Sequence, residues 1–175
     1  MNKGRILLKL VMDEAGLQLI LDRFSQRLIL QKKFYLLQLT GLDLGYRYNW
    51  YLKGPYSPAL TRDAFYLQEE IEAGEKDYEE YALTEASKTK AEQAKTIWET
   101  PKCPDIDDGD WLELLASLHY LKHIAYWPGK KKTEFDDVFA RMVAAKPHFS
   151  DKSALAKMAW EQLKELGLID KKTLS

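Results

Sequence analysis

The chain has 175 residues, 46% of them hydrophobic and 30% charged, and its formal net charge is −1. That length fits one domain able to bury a sizeable core without staples, and the near-neutral balance supplies no global field to attract nucleic acid or a membrane. A single cysteine, Cys103, excludes an internal disulfide framework and suits a reducing compartment.

Arg5–Met12 reads as a short amphipathic helix. Its apolar run is interrupted by Lys9 and followed by Asp13-Glu14, too short to span a bilayer and without a small-residue cleavage site, so the expected location is the cytoplasm. Gly16 interrupts the helix before Leu17–Leu21, and Phe24-Ser25 lead into the next one. There Ile29, Lys33, Leu36 and Leu37 alternate faces with Gln31, Lys32, Tyr35 and Gln38 until Gly41 stops the run. The period then changes to two. Tyr46, Tyr48 and Trp50 share one face, expected to point inward, and Arg47, Asn49 and Tyr51 share the other.

Gly54-Pro55 is expected to break that strand, Ser57 to cap a third helix and Pro58 to occupy its first position, with Gly74 as its stop. Asp77–Ala82, with Tyr78 and Tyr81 among acids, reads as a loop or a short edge strand pairing with Tyr46–Tyr51 as a wing. Thr84 caps a polar helix through Trp98. Thr100–Gly109, with two prolines, reads as a link inside one domain, joining an N-terminal winged-helix-like part (1–99) to a C-terminal helical part (110–175).

Asp110–Trp127 is the most hydrophobic helix, a spine expected to bury Trp111, Leu114, Leu115, Leu118, Leu121, Ile124 and Ala125 and to end at Pro128-Gly129. Lys130–Lys132 then makes an exposed basic tip, and Thr133 with Asp136 forms a capping box for Glu134–Ala145. Lys146-Pro147 ends that helix. Ser150 is expected to cap the last one, which buries Leu155, Met158, Ala159 and Leu163 and stops at Gly167. The fold class expected is mainly α with a small β-hairpin: a winged-helix-like unit over 28–67 within a multi-helix single domain.

No catalytic signature accompanies these elements. His119 and His123 sit four apart on the spine helix, but Tyr120, Leu121 and Lys122 lie between them and the glutamate of a zinc-protease helix is missing. Cys103 has no recognisable flank, Gly-x-Ser-x-Gly is absent, and no glycine-rich phosphate loop occurs. Asp105, Asp107, Asp108 and Asp110 miss the calcium-loop pattern, which needs Gly at the sixth position and Glu at the twelfth. The expectation is therefore no catalytic residue, no cofactor and no metal ligand.

Binding chemistry is better represented. Tyr and Arg are common anchors of interfaces, so Arg47, Tyr51, Lys53, Tyr56 and Arg62 are the candidate partner-binding residues. Trp50, Gly54, Pro55, Ser57 and Pro58 are the structural motif that presents them. Basic residues predominate from Arg23 to Arg62, with Asp43 the one acid, and acids predominate from Asp63 to Glu80. The first reading is a non-enzymatic protein with a protein partner. The alternative is a winged-helix DNA-binding regulator using the basic stretch, and a distant alternative is an uncharacterised hydrolase.

Gln31-Lys32 with Tyr35-Leu36, Gly41, Trp50-Tyr51 and Gly54-Pro55-Tyr56-Ser57 with Leu60 resemble the YwgA-like family, related to the phage-associated, SocA-like antitoxins whose domain is called Panacea. Trp111–Ser117 and Lys146–Phe149 also resemble the YwgA-like pattern. The chain departs from the Panacea pattern at one place, with Gly-Pro-Tyr-Ser where those antitoxins have Gly-Pro-Val. The resemblance implies a bacterial, phage- or mobile-element-associated regulator of antitoxin type. It would act by direct contact with a protein, such as a toxin encoded by a neighbouring gene.

Overall fold

Apolar residues recurring at three- and four-residue spacing make most of this chain helical. The computed structural model describes residues 1–102, 105–129 and 134–169. Among them are seven helices: α1 (Lys3–Glu14), α2 (Phe24–Gln38), α3 (Pro58–Glu72), α4 (Glu85–Trp98), α5 (Asp108–His123), α6 (Phe135–Ala145) and α7 (Ser153–Glu165). Two strands, β1 (Asn49–Tyr51) and β2 (Gly54–Tyr56), pair as a hairpin between α2 and α3. The class is mainly α with a small hairpin, as the sequence pattern predicts.

The backbone forms two compact units. Residues 1–49 and 56–99 make the first; residues 50–55 and the described residues from Thr100 onward make the second. In the first unit α1 packs on α3 and α4, and α2 on α3 and α4. Leu8, Val11, Phe34, Leu36, Leu37, Leu60 and Leu67 are fully buried there. In the second, α5 packs against α6 and α7, and every residue from Trp111 to Lys122 is buried. A helix apolar nearly all round is what a central position demands, so α5 is the spine the sequence suggests.

Local chemistry sets most boundaries. The Ser57 hydroxyl accepts from the Leu60 amide with Pro58 next in line, Thr84 caps α4 through the Ser87 amide, and Asp107 caps α5 through the Asp110 amide. Gly74 ends α3 at φ +83°, with the Glu75 amide closing back on the Glu70 carbonyl.

Several expectations are corrected. The strand is confined to Asn49–Tyr51, and Gly54-Pro55 does not break it but opens β2, the turn being Leu52-Lys53. Gly54 reaches φ +87°, which lets the chain reverse, and a two-stranded ribbon leaves Pro55 an edge where no ladder donor is needed. Asp77–Glu80 is a 3-10 turn, so the hairpin is β1 with β2 and no strand from the acidic segment joins it. Lys9 stands 4.8 Å over the Tyr78 ring there.

α5 stops at His123, four residues before Trp127: the Ala125 amide bonds the Tyr120 carbonyl instead of continuing to Leu121, whose carbonyl accepts the Trp127 indole N–H. Ile124 is consequently 51% exposed rather than buried, and Ala125 is half-buried. Met158 is 48% exposed, outside the Leu155–Ala156–Ala159–Trp160–Leu163 stripe of α7. Lys152, not Ser150, precedes α7, and its side chain makes no cap bond. Glu134 holds the cap position of α6, also without a side-chain bond. The expected roles of Thr133, of Lys130–Lys132 and of Cys103 fall outside the described residues.

Candidate functional site

The facing of the aromatic segment follows the predicted alternation. Tyr46 is buried and Tyr48 and Trp50 half-buried, whereas Arg47, Asn49 and Tyr51 are exposed. The Tyr46 hydroxyl donates to Asp63, and burial first, with the neighbouring Asp63 carboxylate second, pushes its pKa well up. Tyr48 meets the edge of the Tyr35 ring at 5.1 Å, and burial raises its hydroxyl too.

In the first unit the return strand is held by the Gln31 side chain. Its amide nitrogen donates to the Ser57 carbonyl at 2.9 Å and its oxygen accepts the Ser57 amide at 2.8 Å, a two-point grip that copies a strand pair. The same nitrogen reaches the Thr61 hydroxyl, which also bonds the Tyr56 hydroxyl at 2.7 Å. Gln31 is 1% exposed and Ser57 fully buried, so the two bonds between them work without competition from water.

In the second unit the turn is held by a buried lysine. Lys146, 1% exposed at the C-terminal cap of α6, donates to the Leu52 carbonyl at 2.6 Å and to the Glu113 carboxylate at 2.5 Å. Its ammonium also stands 5.2 Å over the Trp50 ring, which packs on Tyr120 at 5.6 Å. Burial pulls the Lys146 pKa down while Glu113 opposes the fall. Breaking such a pair from one side strands the other charge, at about 3–5 kcal/mol. Above this anchor the turn projects: Leu52 is 82% exposed and Tyr51 46% exposed.

The proposed partner-binding residues divide between the units. Tyr51 and Lys53 belong to the second, Arg47, Tyr56 and Arg62 to the first. Arg47 and Arg62 are exposed, Lys53 is half-buried, and Tyr56 is half-buried with its hydroxyl engaged by Thr61. Of the motif residues, Gly54, Pro55 and Ser57 are buried and Pro58 is exposed at the start of α3. Sequence reasoning treated Lys146 as a helix stop and missed its partner Glu113. The available signal was an acid inside the most apolar helix, since a buried carboxylate requires a cation.

The basic stretch contracts in the structure. Lys32 is 2% exposed, Lys33 lies 5.3 Å over the Trp98 ring, and Arg27 donates to the Leu21 carbonyl while covering Phe24. Arg23, Arg47 and Arg62 stay exposed. The His119 and His123 rings lie 4.9 Å apart, and burial first, then His123, lowers the His119 pKa to about 3. Among the described residues no group of His, Cys, Asp or Glu is placed to hold a metal ion, and no helix is long and apolar enough to cross a membrane. Comparison with protein-family models, curated proteins and solved structures found no match to this chain.

Proposed function

We propose that this chain is a non-enzymatic binding protein that restrains a protein partner by direct contact, with the Tyr51-Leu52 turn as its anchor. The observation that carries this reading is Leu52: a large apolar side chain 82% exposed, on a turn whose own carbonyl is clamped by buried Lys146. An exposed apolar side chain on a backbone held in place suits an interface, because a pre-ordered turn loses little entropy on binding. The resemblance of residues 31–67 to the YwgA-like and Panacea proteins supports the narrower reading, a phage- or mobile-element-associated regulator of antitoxin type.

A photo-crosslinking residue placed at Leu52 in the native host tests the anchor, with Met158, exposed on α7, as the control position. A discrete protein adduct is expected at position 52 and not at 158. Leu52→Glu, and Tyr51→Ala with Arg47→Ala, are expected to keep the parent melting temperature and to lose that partner. If the partner is a toxin, its expression alone arrests growth, parent co-expression relieves the arrest, and Leu52→Glu does not. Undiminished capture by both variants would remove the turn from the interface.

A further inference from the structure

The outer face of α3 carries an order of side chains that the hairpin does not explain. Leu60, Ala64 and Leu67 are fully buried on the inner face. Opposite them Arg62, Phe65, Tyr66 and Glu69 are all exposed, at the i, i+3, i+4, i+7 spacing of one helical stripe. Phe65 is 40% and Tyr66 47% exposed, an aromatic pair in the middle of the helix. Arg62 lies three residues before Phe65 and Glu69 three residues after Tyr66. The stripe is therefore cation, aromatic, aromatic, anion, balanced about a point between the two rings.

We propose that this face binds a second copy of itself, forming an antiparallel α3–α3 pair across a two-fold axis between Phe65 and Tyr66. An isologous interface requires a patch complementary to itself. Turning the stripe end for end sets Arg62 of each copy against Glu69 of the other and brings the aromatics together at the centre, and Pro58 then falls opposite Ala73, with no charge against charge. The flanking charges are already satisfied within the copy. Arg5 pairs with Glu70 at 2.5 Å and stands 5.5 Å over the Tyr66 ring, Asp63 accepts the Tyr46 hydroxyl, and Arg62 has only a long contact with Asp63, at 3.8 Å.

Other occupants fit less well. A phosphate-bearing partner would meet Glu69 and Glu72 on the same face. A foreign protein would need a matching cation and anion at the same separation, whereas a second copy supplies both by symmetry. One helix face buries less than the roughly 800 Å² per partner of a standard interface, so the dimer is weak and depends on protein concentration.

Sedimentation equilibrium of the full chain across about 5–500 μM at low salt tests this. The parent is expected to shift from monomer towards dimer with rising concentration, and back as salt is added. Glu69→Arg and Arg62→Glu each set like charges together and are expected to weaken the dimer about tenfold or more. The double variant Arg62→Glu/Glu69→Arg restores opposite charges and is expected to recover the dimer, which a loss of folding would not allow. Phe65→Ala is expected to weaken it without changing the circular dichroism spectrum. A parent that stays monomeric throughout, a single reversal that dimerises like the parent, or a double variant no better than either single would each overturn the proposal.

Discussion

His119 lies on the spine helix with 7% of its surface exposed, and burial first, then the neighbouring His123 ring, lowers its pKa from 6.5 to about 3. Between those values the unfolded chain holds a proton there that the folded chain does not. Stability from this residue is thus complete above about pH 6.5 and declines as pH falls towards 3, by an amount of order a few kcal/mol. Melting temperatures of the parent are expected to fall more steeply from pH 6.5 to 4 than those of His119→Gln, which cannot take up the proton. Parallel curves would show that His119 is protonated in the folded state. The i, i+4 spacing of the two histidines was legible in the sequence, but their difference was not. His123 is exposed because α5 ends there, where the Ala125 amide bonds the Tyr120 carbonyl and the Trp127 indole N–H takes the Leu121 carbonyl, an arrangement the residue types do not announce.

At the scale of the element, the hairpin separates what local chemistry specifies from what distant contacts specify. Ser57-Pro58, Gly74 and Thr84 act on their nearest neighbours, and the helix boundaries they imply are those observed. β2 was not foreseen because Gly-Pro ordinarily ends a strand, whereas here the positive φ of Gly54 reverses the chain and side chains distant in sequence bond the segment. Lys146 reaches Leu52 across a separation of 94 residues, and Gln31 reaches Ser57 across 26. No short window of sequence contains either contact. The two grips on Ser57 differ in strength. Ser57→Ala removes a cap whose Oγ lies 3.4 Å from the Leu60 amide, a long bond, and is expected to cost about 1 kcal/mol or less. Gln31→Ala leaves the buried amide and carbonyl of Ser57 without this partner and is expected to cost about 2–3 kcal/mol. Urea denaturation of the two variants measures the order. If Ser57→Ala is the more damaging, the side-chain grip by Gln31 does not hold the return strand.

For the whole molecule, a net charge of −1 is the sum of two stretches of opposite sign, and the structure treats them differently. Glu70 in the acidic stretch is met by Arg5 of α1 rather than by the basic stretch. Within the basic stretch, packing has taken up several of the cations that made a DNA interface conceivable. Lys32 is buried, and Arg27 and Lys33 lie against aromatic rings. A count of charges along a sequence cannot register this, because Lys stems and guanidinium planes cover apolar surface as readily as they face water. DNA binding without base contacts grows with the number of phosphates neutralised, and each contact adds close to one unit to the salt slope. Arg23, Arg47 and Arg62 are the fully exposed cations of the stretch, all in the first unit, and together they contribute about three to that slope if all of them touch phosphate. Mobility-shift titrations with duplex DNA are therefore expected to show no discrete complex near physiological salt. A complex that does form there, dissolves steeply as salt rises, and is weakened equally on every sequence by Arg47→Ala with Arg62→Ala would return the basic stretch to function as a nucleic-acid surface.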